Sequence, residues 1–500
     1  MEGVVPPLIV AHALFQNVLL AIYLAVWVVF AVYGIHRIHL IRLFRRRGRD
    51  LPPPPASTLV GGGCPRVTVQ LPVYNERYVV NRLLEAAAAL DYPPDRLEIQ
   101  LLDDSVDETR EIAASKVREL RERGIDVVHV TRDRREGFKA GALQHGLERA
   151  KGELLAVFDA DFVPPPSILR QMVPYFQDPR VGVVQSRWQY LNQDYSILAQ
   201  AQAISLDGHF VIEHAARMAG GRFLNFNGTA GILRKACILD AGGWQSDTLT
   251  EDLDLSYRAQ LRGWRFVFAP HVLCPSELPV EMNAFKAQQH RWVKGSIQVA
   301  RKLLPLLWKS RAPFPVKLES TFHLTYNAAY VFLLLLSLIL YPVVLARYRS
   351  HSTPYMIADT ILFVIATSSV LFYFGYAQRE TRRDWLKQLR FLPFTMSLGM
   401  GLSVTNTRAV LEALAGHRSP FHRTPKFRIE RRGDRWREKR YRAPLNGWAV
   451  LEIALGIYFA WAMIALAHRG MYAPLPFFVL YLFGFLYVGI LSLVHARVRS

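Results

Sequence analysis

The sequence predicts an α/β domain built on a doubly wound sheet, inserted between transmembrane α-helices and lying on the cytoplasmic side. Three observations lead there. The chain has 500 residues, 51% of them hydrophobic, and its mean hydropathy is above zero, so part of this length belongs in lipid rather than in a soluble core. Apolar runs long enough to cross a hydrocarbon layer, which takes roughly 20 helical residues, stand at both ends of the chain. Between them, from Arg66 onward, short apolar runs alternate with amphipathic stretches, the pattern of parallel strands joined by helices.

The formal net charge of +20 is compatible with nucleic acid, an anionic membrane face or a phosphorylated substrate. Lys and Arg gather beside the apolar runs, which favours the membrane face; nothing but charge speaks for nucleic acid. Cys64, Cys237 and Cys274 are widely separated and odd in number, without CxxC spacing. Neither a disulfide framework nor a zinc site follows, and a reduced, cytoplasmic domain is expected.

In chain order, residues 1–50 hold the first crossing, an apolar run from Leu8 to Ile35 with a basic flank (Arg37, Arg42, Arg45, Arg46, Arg47, Arg49). Glu2 alone carries side-chain charge before it, so the N-terminus is expected outside. The run is too long, and its far flank too basic, for a cleaved signal peptide. Residues 51–65, with four consecutive prolines and three consecutive glycines, read as a linker from which the domain hangs below the membrane. Residues 66–280 are the domain itself. Its strands VTVQLPV, LEIQLL and LLAVF run into Tyr74-Asn75-Glu76, Asp103-Asp104-Ser105 and Asp159-Ala160-Asp161, and a parallel sheet binds ligands at those carboxyl ends. Residues 281–315 read as interfacial helices and 316–378 as two crossings. Residues 379–445 hold a stretch, 391–414, that is apolar but carries Thr405, Asn406, Thr407, Arg408 and Glu412. Basic segments flank it on both sides, one of them, 418–442, with eleven Lys or Arg against three acids. It is too short to cross twice, so an interfacial or re-entrant helix is expected. Residues 446–500 supply two more crossings, giving five in all, with the N-terminus out and the C-terminus in.

The polar strand ends carry chemistry. Asp159 and Asp161, on alternate positions at a bend, are suited to one hard cation that also takes phosphate oxygens; a solvated loop is the plainer account. Asp103 or Asp104 could accept from a base N–H or a ribose hydroxyl, or Asp104 or Ser105 could serve as a helix N-cap. Lys139 in GFKAGAL could neutralise a diphosphate or be a surface lysine. Glu251 and Asp252 open an amphipathic helix, where they complement its dipole or, for Asp252, act as a general base. Asn227-Gly228-Thr229, small and turn-prone, suits a backbone that lines an acceptor site closely.

LPVYNE, LLDDS, FDAD, FNGTAG, TEDLDLSYRAQLRGW and QQHRW, in this order, resemble the membrane-embedded synthases of glycosyltransferase family 2: cellulose synthases, plant cellulose-synthase-like mannan and glucomannan synthases, and their bacterial relatives. The likeness covers about Arg66 to Lys302. It implies a GT-A fold and inverting transfer from a nucleotide-diphosphate sugar, UDP-glucose or GDP-mannose, to a glycan or lipid acceptor. It further implies Mg2+ or Mn2+ at Asp159 and Asp161, with Tyr74, Glu76, Asp103, Asp104, Lys139, Asp159, Gln288 and Arg291 on the nucleotide. Asp252, with Glu251, would be the base, and Trp292, Asn227, Gly228 and Thr229 would meet the acceptor. Phe421, Thr424 and Lys426 resemble the gating loop that follows an interfacial helix in those synthases. RTPK there departs from the valine–threonine form of cellulose synthase, and FNGTAG and QQHRW sit nearer the mannan-synthase-like branch.

The resemblance implies a processive β-glucan or β-mannan synthase of the plasma, inner or Golgi membrane that secretes its polymer through its own helices. A lipid glycosyltransferase of the ceramide glucosyltransferase kind shares the aspartates and QxxRW but transfers once. A transporter would need ionisable groups along a pathway, whereas here charges such as Asp359 and Glu452 stand at span ends.

Overall fold

In the computed structural model the described residues are 7–49, 51, 55, 64–417 without 351 and 352, 419, 423–441 and 447–497. Most of the predicted linker, and Phe421, lie outside them. Seven strands form one sheet: β1 (Val67–Val73), β2 (Leu97–Asp103), β3 (Val127–Thr131), β4 (Leu154–Val157), β5 (Val181–Tyr190), β6 (Gly231–Arg234) and β7 (Arg265–Ser276), in the order β3-β2-β1-β4-β6-β5-β7. Strands β1 to β4 are parallel, as the alternation predicts. Winding runs outward from β1 through β2 to β3, then returns to place β4 on the other side of β1. The carboxyl ends of β1 and β4 therefore flank the topological switch point, where a crevice opens.

Both faces of the sheet are covered, which is why the strands read as nearly unbroken apolar runs. Successive residues alternate between two packed layers: Leu101, Leu154 and Ala156 enter one, while Leu102, Leu155 and Val157 enter the other with Leu143 and Leu147 of the Phe138–Arg149 helix. Thr68 and Gln70 are buried too, and each finds its partner directly across the ladder, Glu98 at 2.7 Å and Gln100 at 3.1 Å. The pairing satisfies groups that would otherwise be costly to bury.

Beyond β4 the sheet is mixed rather than wholly parallel, since β6 runs antiparallel to both β4 and β5. The reversal has a use. A parallel strand delivers its carboxyl end to the crevice, and an antiparallel one delivers its amino end. Gly231 pairs with Val157, so the turn before β6, Phe226 to Ala230, arrives beside Asp159.

Among the described residues, five helices are long and apolar enough to cross a membrane: Leu14–Gly48, Phe314–Tyr348, Thr353–Thr381, Ala449–Ala467 and Leu475–Arg497. The domain does not merely hang from them. Phe44, Tyr373 and Ala377 join the apolar layer beneath the sheet, and buried Arg217 pairs with Glu319 at 3.0 Å, which in turn meets His36 of the first helix at 2.8 Å. The 391–414 stretch is two helices, Leu392–Gly401 and Ser403–Leu414. A side chain at Gly401 would strike the Gly484 carbonyl at 2.2 Å, so this backbone lies directly on the last helix. Glu452, in the first turn of the Ala449–Ala467 helix as expected of a span end, is buried and takes Lys286 at 2.7 Å.

Candidate active site

One cleft at the carboxyl edge of the sheet gathers residues from separate stretches of chain between Pro72 and Lys426. From β1 come Tyr74 and Glu76, reached through Asn75, which holds a left-handed φ of 55°. Arg135 lies over the Tyr74 ring at 3.4 Å, a cation–π contact that fixes the ring face. Burial pushes the Glu76 carboxyl up to about 8 despite the cations Arg423 and Lys426, with Asp161 and Glu277 adding to the rise.

Of the two aspartates ending β2, Asp104 lines the cleft and Asp103 does not. Asp103 is buried against His129, 2.8 Å away, and accepts from the Ser105 amide; burial opposes its charge, yet these bonds hold it below the ordinary carboxylate value. The expectation that either could meet a base narrows to Asp104, because Asp103 belongs to the strand's own ladder face. Asp104 itself is held by Arg132 through two donors at 3.0 and 2.5 Å. Arg132, Arg135 and His129 were not singled out by sequence; the signal available was the place of the two arginines just after β3, in TRDRREGFK, and of His129 within that strand.

Lys139 is the hub of the cleft. Its ammonium meets Asp159 at 2.6 Å, Glu251 at 3.9 Å and the Gly228 carbonyl at 2.9 Å. Burial lowers its proton affinity, but Asp159 and Glu251 outweigh that and leave it raised. Asp161 turns inward, one oxygen on Lys426 and the other buried without a hydrogen-bond partner. An orphaned carboxylate oxygen beside a second carboxylate suits a hard divalent cation. Among the described residues no three His, Cys, Asp or Glu converge on a metal position, so phosphate oxygens and water would have to complete its shell.

Glu251 and Asp252 begin the Glu251–Leu261 helix and both face the cleft, whereas Asp254 points away into Arg258 and Lys302. Burial, and then the neighbouring Glu251 charge, raise Asp252 to about 7, against the pull of Lys139. That is the range a general base needs near neutral pH. A Cβ on Gly228 would lie 2.8 Å from Asp252 Oδ2, and φ there is +77°, so only glycine brings the backbone this close. Asn227 also lines the cleft, its side-chain amide donating to His209 at 2.9 Å. Thr229, expected to meet an acceptor, is not on the wall; its hydroxyl accepts the Asp159 amide at 2.8 Å and props the FDAD bend. Gln288, Arg291 and Trp292, one turn apart on the Met282–Lys309 helix, close the opposite side. Arg291 faces Glu251, Asp159, Asp161 and Asp252. From the far end of the chain Arg423, Thr424 and Lys426 reach in: Arg423 to Glu76 at 3.2 Å, and Thr424 as acceptor from Arg291 at 3.4 Å.

Comparison with known proteins fits this architecture. The family described as Glycosyltransferase like family 2 matches residues 65–295. A probable glucomannan 4-beta-mannosyltransferase 4 of Oryza sativa subsp. japonica is 38% identical over 272 residues, 53% of this chain and 49% of its own. Glucomannan 4-beta-mannosyltransferase 2 of Arabidopsis thaliana is 42% identical over 245 residues, 48% of this chain and 46% of its own. The chain thus spans about half the length of these curated relatives. Among solved structures, the mannosyltransferase PcManGT of Pyrobaculum calidifontis, determined with GDP-Man and Mn2+, is 21% identical with a TM-score of 0.53, covering 80% of this chain and 100% of its own. Residues 65–295 are therefore similar to glycosyltransferase family 2, share the fold of a solved mannosyltransferase, and are joined in this chain to helices long and apolar enough to span a membrane.

Proposed function

We propose that the protein is an inverting β-glycosyltransferase that takes a nucleotide-diphosphate sugar, GDP-mannose before UDP-glucose, and extends a β-mannan or glucomannan chain processively. One observation carries the reading: Asp252, with a proton affinity near neutrality, shares a cleft with Lys139, Arg291 and the Asp159–Asp161 bend. Likeness to the glucomannan mannosyltransferases favours mannose.

In this reading the nucleobase lies between Tyr74 and Asp104, and the diphosphate extends toward Lys139 and Arg291. Asp252 takes the proton of the acceptor hydroxyl as its oxygen attacks the anomeric carbon from the face opposite the diphosphate. The new C–O bond forms as the bond to the phosphate oxygen breaks, and configuration inverts. Arg291 offers a fork of donors to the departing diphosphate. Trp292 offers an apolar face to the acceptor ring. Asp159 and Asp161 would hold Mg2+ or Mn2+, which when bound supplies charge neutralisation at the phosphates. Arginines after the first span, and the cationic 423–441 segment, support a cytoplasmic domain and outward passage of the polymer.

The test is the product that purified, detergent-solubilised protein makes from radiolabelled GDP-mannose or UDP-glucose. Insoluble polymer cut by a β-1,4-mannanase is expected. Label extracted entirely into organic solvent would replace the synthase with a lipid glycosyltransferase.

A further inference from the structure

Residues 423–441 cross the mouth of the cleft with almost no regular secondary structure. No ladder holds them. Part of the grip is apolar: Phe427, Ile429 and Trp436 are buried with Val280, and Trp436 meets His495 of the last helix edge-on at 4.9 Å. The rest centres on one carboxylate. Glu277, the residue after β7, is 4% exposed. Its Oε1 accepts the Phe427 amide at 3.0 Å, and the Ile429 amide also donates to it. Its Oε2 meets Arg82 at 3.4 Å, and the same arginine reaches Glu430 at 2.9 Å. The Glu277 amide, in turn, donates to the Asp161 carbonyl at 3.0 Å.

Glu277 thus joins the FDAD bend to the strap above it. Nine of the nineteen residues from 423 to 441 are Lys or Arg, so the strap's own charges repel one another, and a buried carboxylate on its backbone offsets that repulsion. Hydrogen bonds from backbone amides to a buried charge are among the stronger ones a protein makes. With the strap down, Arg423, Thr424 and Lys426 reach Glu76, Arg291 and Asp161.

We propose that Glu277 is a positioning residue: its carboxylate latches residues 427–429 and so holds the strap closed over the donor cleft. This rests on the donor reading above for the consequence, though not for the latch itself. Arg428, Arg431 and Arg432 are exposed even with the strap down, but trypsin must draw the backbone around them into its own cleft, which the latch on the Phe427 and Ile429 amides opposes; cleavage of a locally opened segment tracks its open population. In Glu277→Ala, cleavage at these arginines should accelerate by about tenfold or more, and the KM for GDP-mannose should rise by a similar factor while kcat changes less. Glu277→Gln keeps a carbonyl that accepts the Phe427 amide but loses the charge and the oxygen that meets Arg82, so its cleavage rate should fall between those of the parent and the Ala variant. Cutting at exposed sites inside the domain, such as Arg123, reports whether the variant is folded. If Glu277→Ala is not, Glu277→Asp, which withdraws the carboxylate by one methylene, takes its place with the same expectation. Parental protection of the strap in the folded Ala or Asp variant overturns the latch. A parent protein that turns over neither GDP-mannose nor UDP-glucose overturns the donor reading instead, and the protease result still stands.

Discussion

Asp252→Asn separates a general base from a helix-start charge. The substitution keeps the shape and the bond that Oδ1 accepts from the Leu253 amide at 2.8 Å, but it cannot accept a proton. If Asp252 is the base, kcat falls by roughly 10²- to 10⁴-fold while nucleotide affinity stays near the parent's. Stability should move the other way. The folded protein raises this carboxyl from its ordinary value to about 7, so between about pH 4 and pH 7 the native state binds a proton that the unfolded chain does not. Stability contributed by the protonated form is then present at low pH and lost as pH rises through 7. The raised value corresponds to a penalty of up to about 4 kcal/mol at pH 8, at about 1.4 kcal/mol per pH unit, and Lys139 is already counted against it. The Asn variant, free of that penalty, should melt higher than the parent at pH 8 and about equally at pH 4. In the parent, kcat/KM should climb with pH through about 7 and then level, as Asp252 ionises. The assay pairs nucleotide affinity and initial rate on one solubilised preparation. A variant that binds nucleotide and transfers sugar at near the parent's rate removes Asp252 from the mechanism. Were it only a dipole partner, the change would cost about 1 kcal/mol or less in stability and leave turnover intact.

Turnover should vanish in excess EDTA and return with Mn2+ or Mg2+; full activity without added metal would refute the assignment of Asp159 and Asp161. Gly228→Ala must place a methyl 2.8 Å from Asp252 Oδ2 at a left-handed φ, so kcat should fall about tenfold or more, with a backbone strain of about 1–2 kcal/mol visible in melting. Lys286→Met strands Glu452, 0% exposed, without its cation and should destabilise by about 3–5 kcal/mol, while Lys286→Met with Glu452→Met recovers most of the loss in thermal melting.

How far the sequence could be read depended on whether a residue's partner was near or far along the chain. The bends after β1, β2 and β4 were legible because a polar group directly follows each apolar run, and switch-point geometry says where such ends meet. The five long helices were legible from length and hydropathy. Four-residue β6 was not, because GILR is too short to show a period, and its direction is set by the turn that precedes it. Arg217, Glu319 and His36 read singly as solvated charges; only folding brings partners up to 283 positions apart into one buried chain. Thr229 and Asp103 illustrate the opposite error. Their motifs lie in the right place, but side chains alternate across a strand and a turn, so a neighbour of a cleft residue need not face the cleft.

The charges of the cleft come from two sources, and that bears on how the reaction is assembled. Its acids, Glu76, Asp104, Asp159, Asp161, Glu251 and Asp252, all lie within residues 65–295, as do Lys139 and Arg291. The cations that lie on Glu76 and Asp161, Arg423 and Lys426, come from beyond that span. Cations favour the ionised form of a carboxylate, and Arg423 and Lys426 both pull Glu76 down against its burial. The strap thus supplies two of those cations from outside the matched domain. A segment that covers the cleft also adds to its charge.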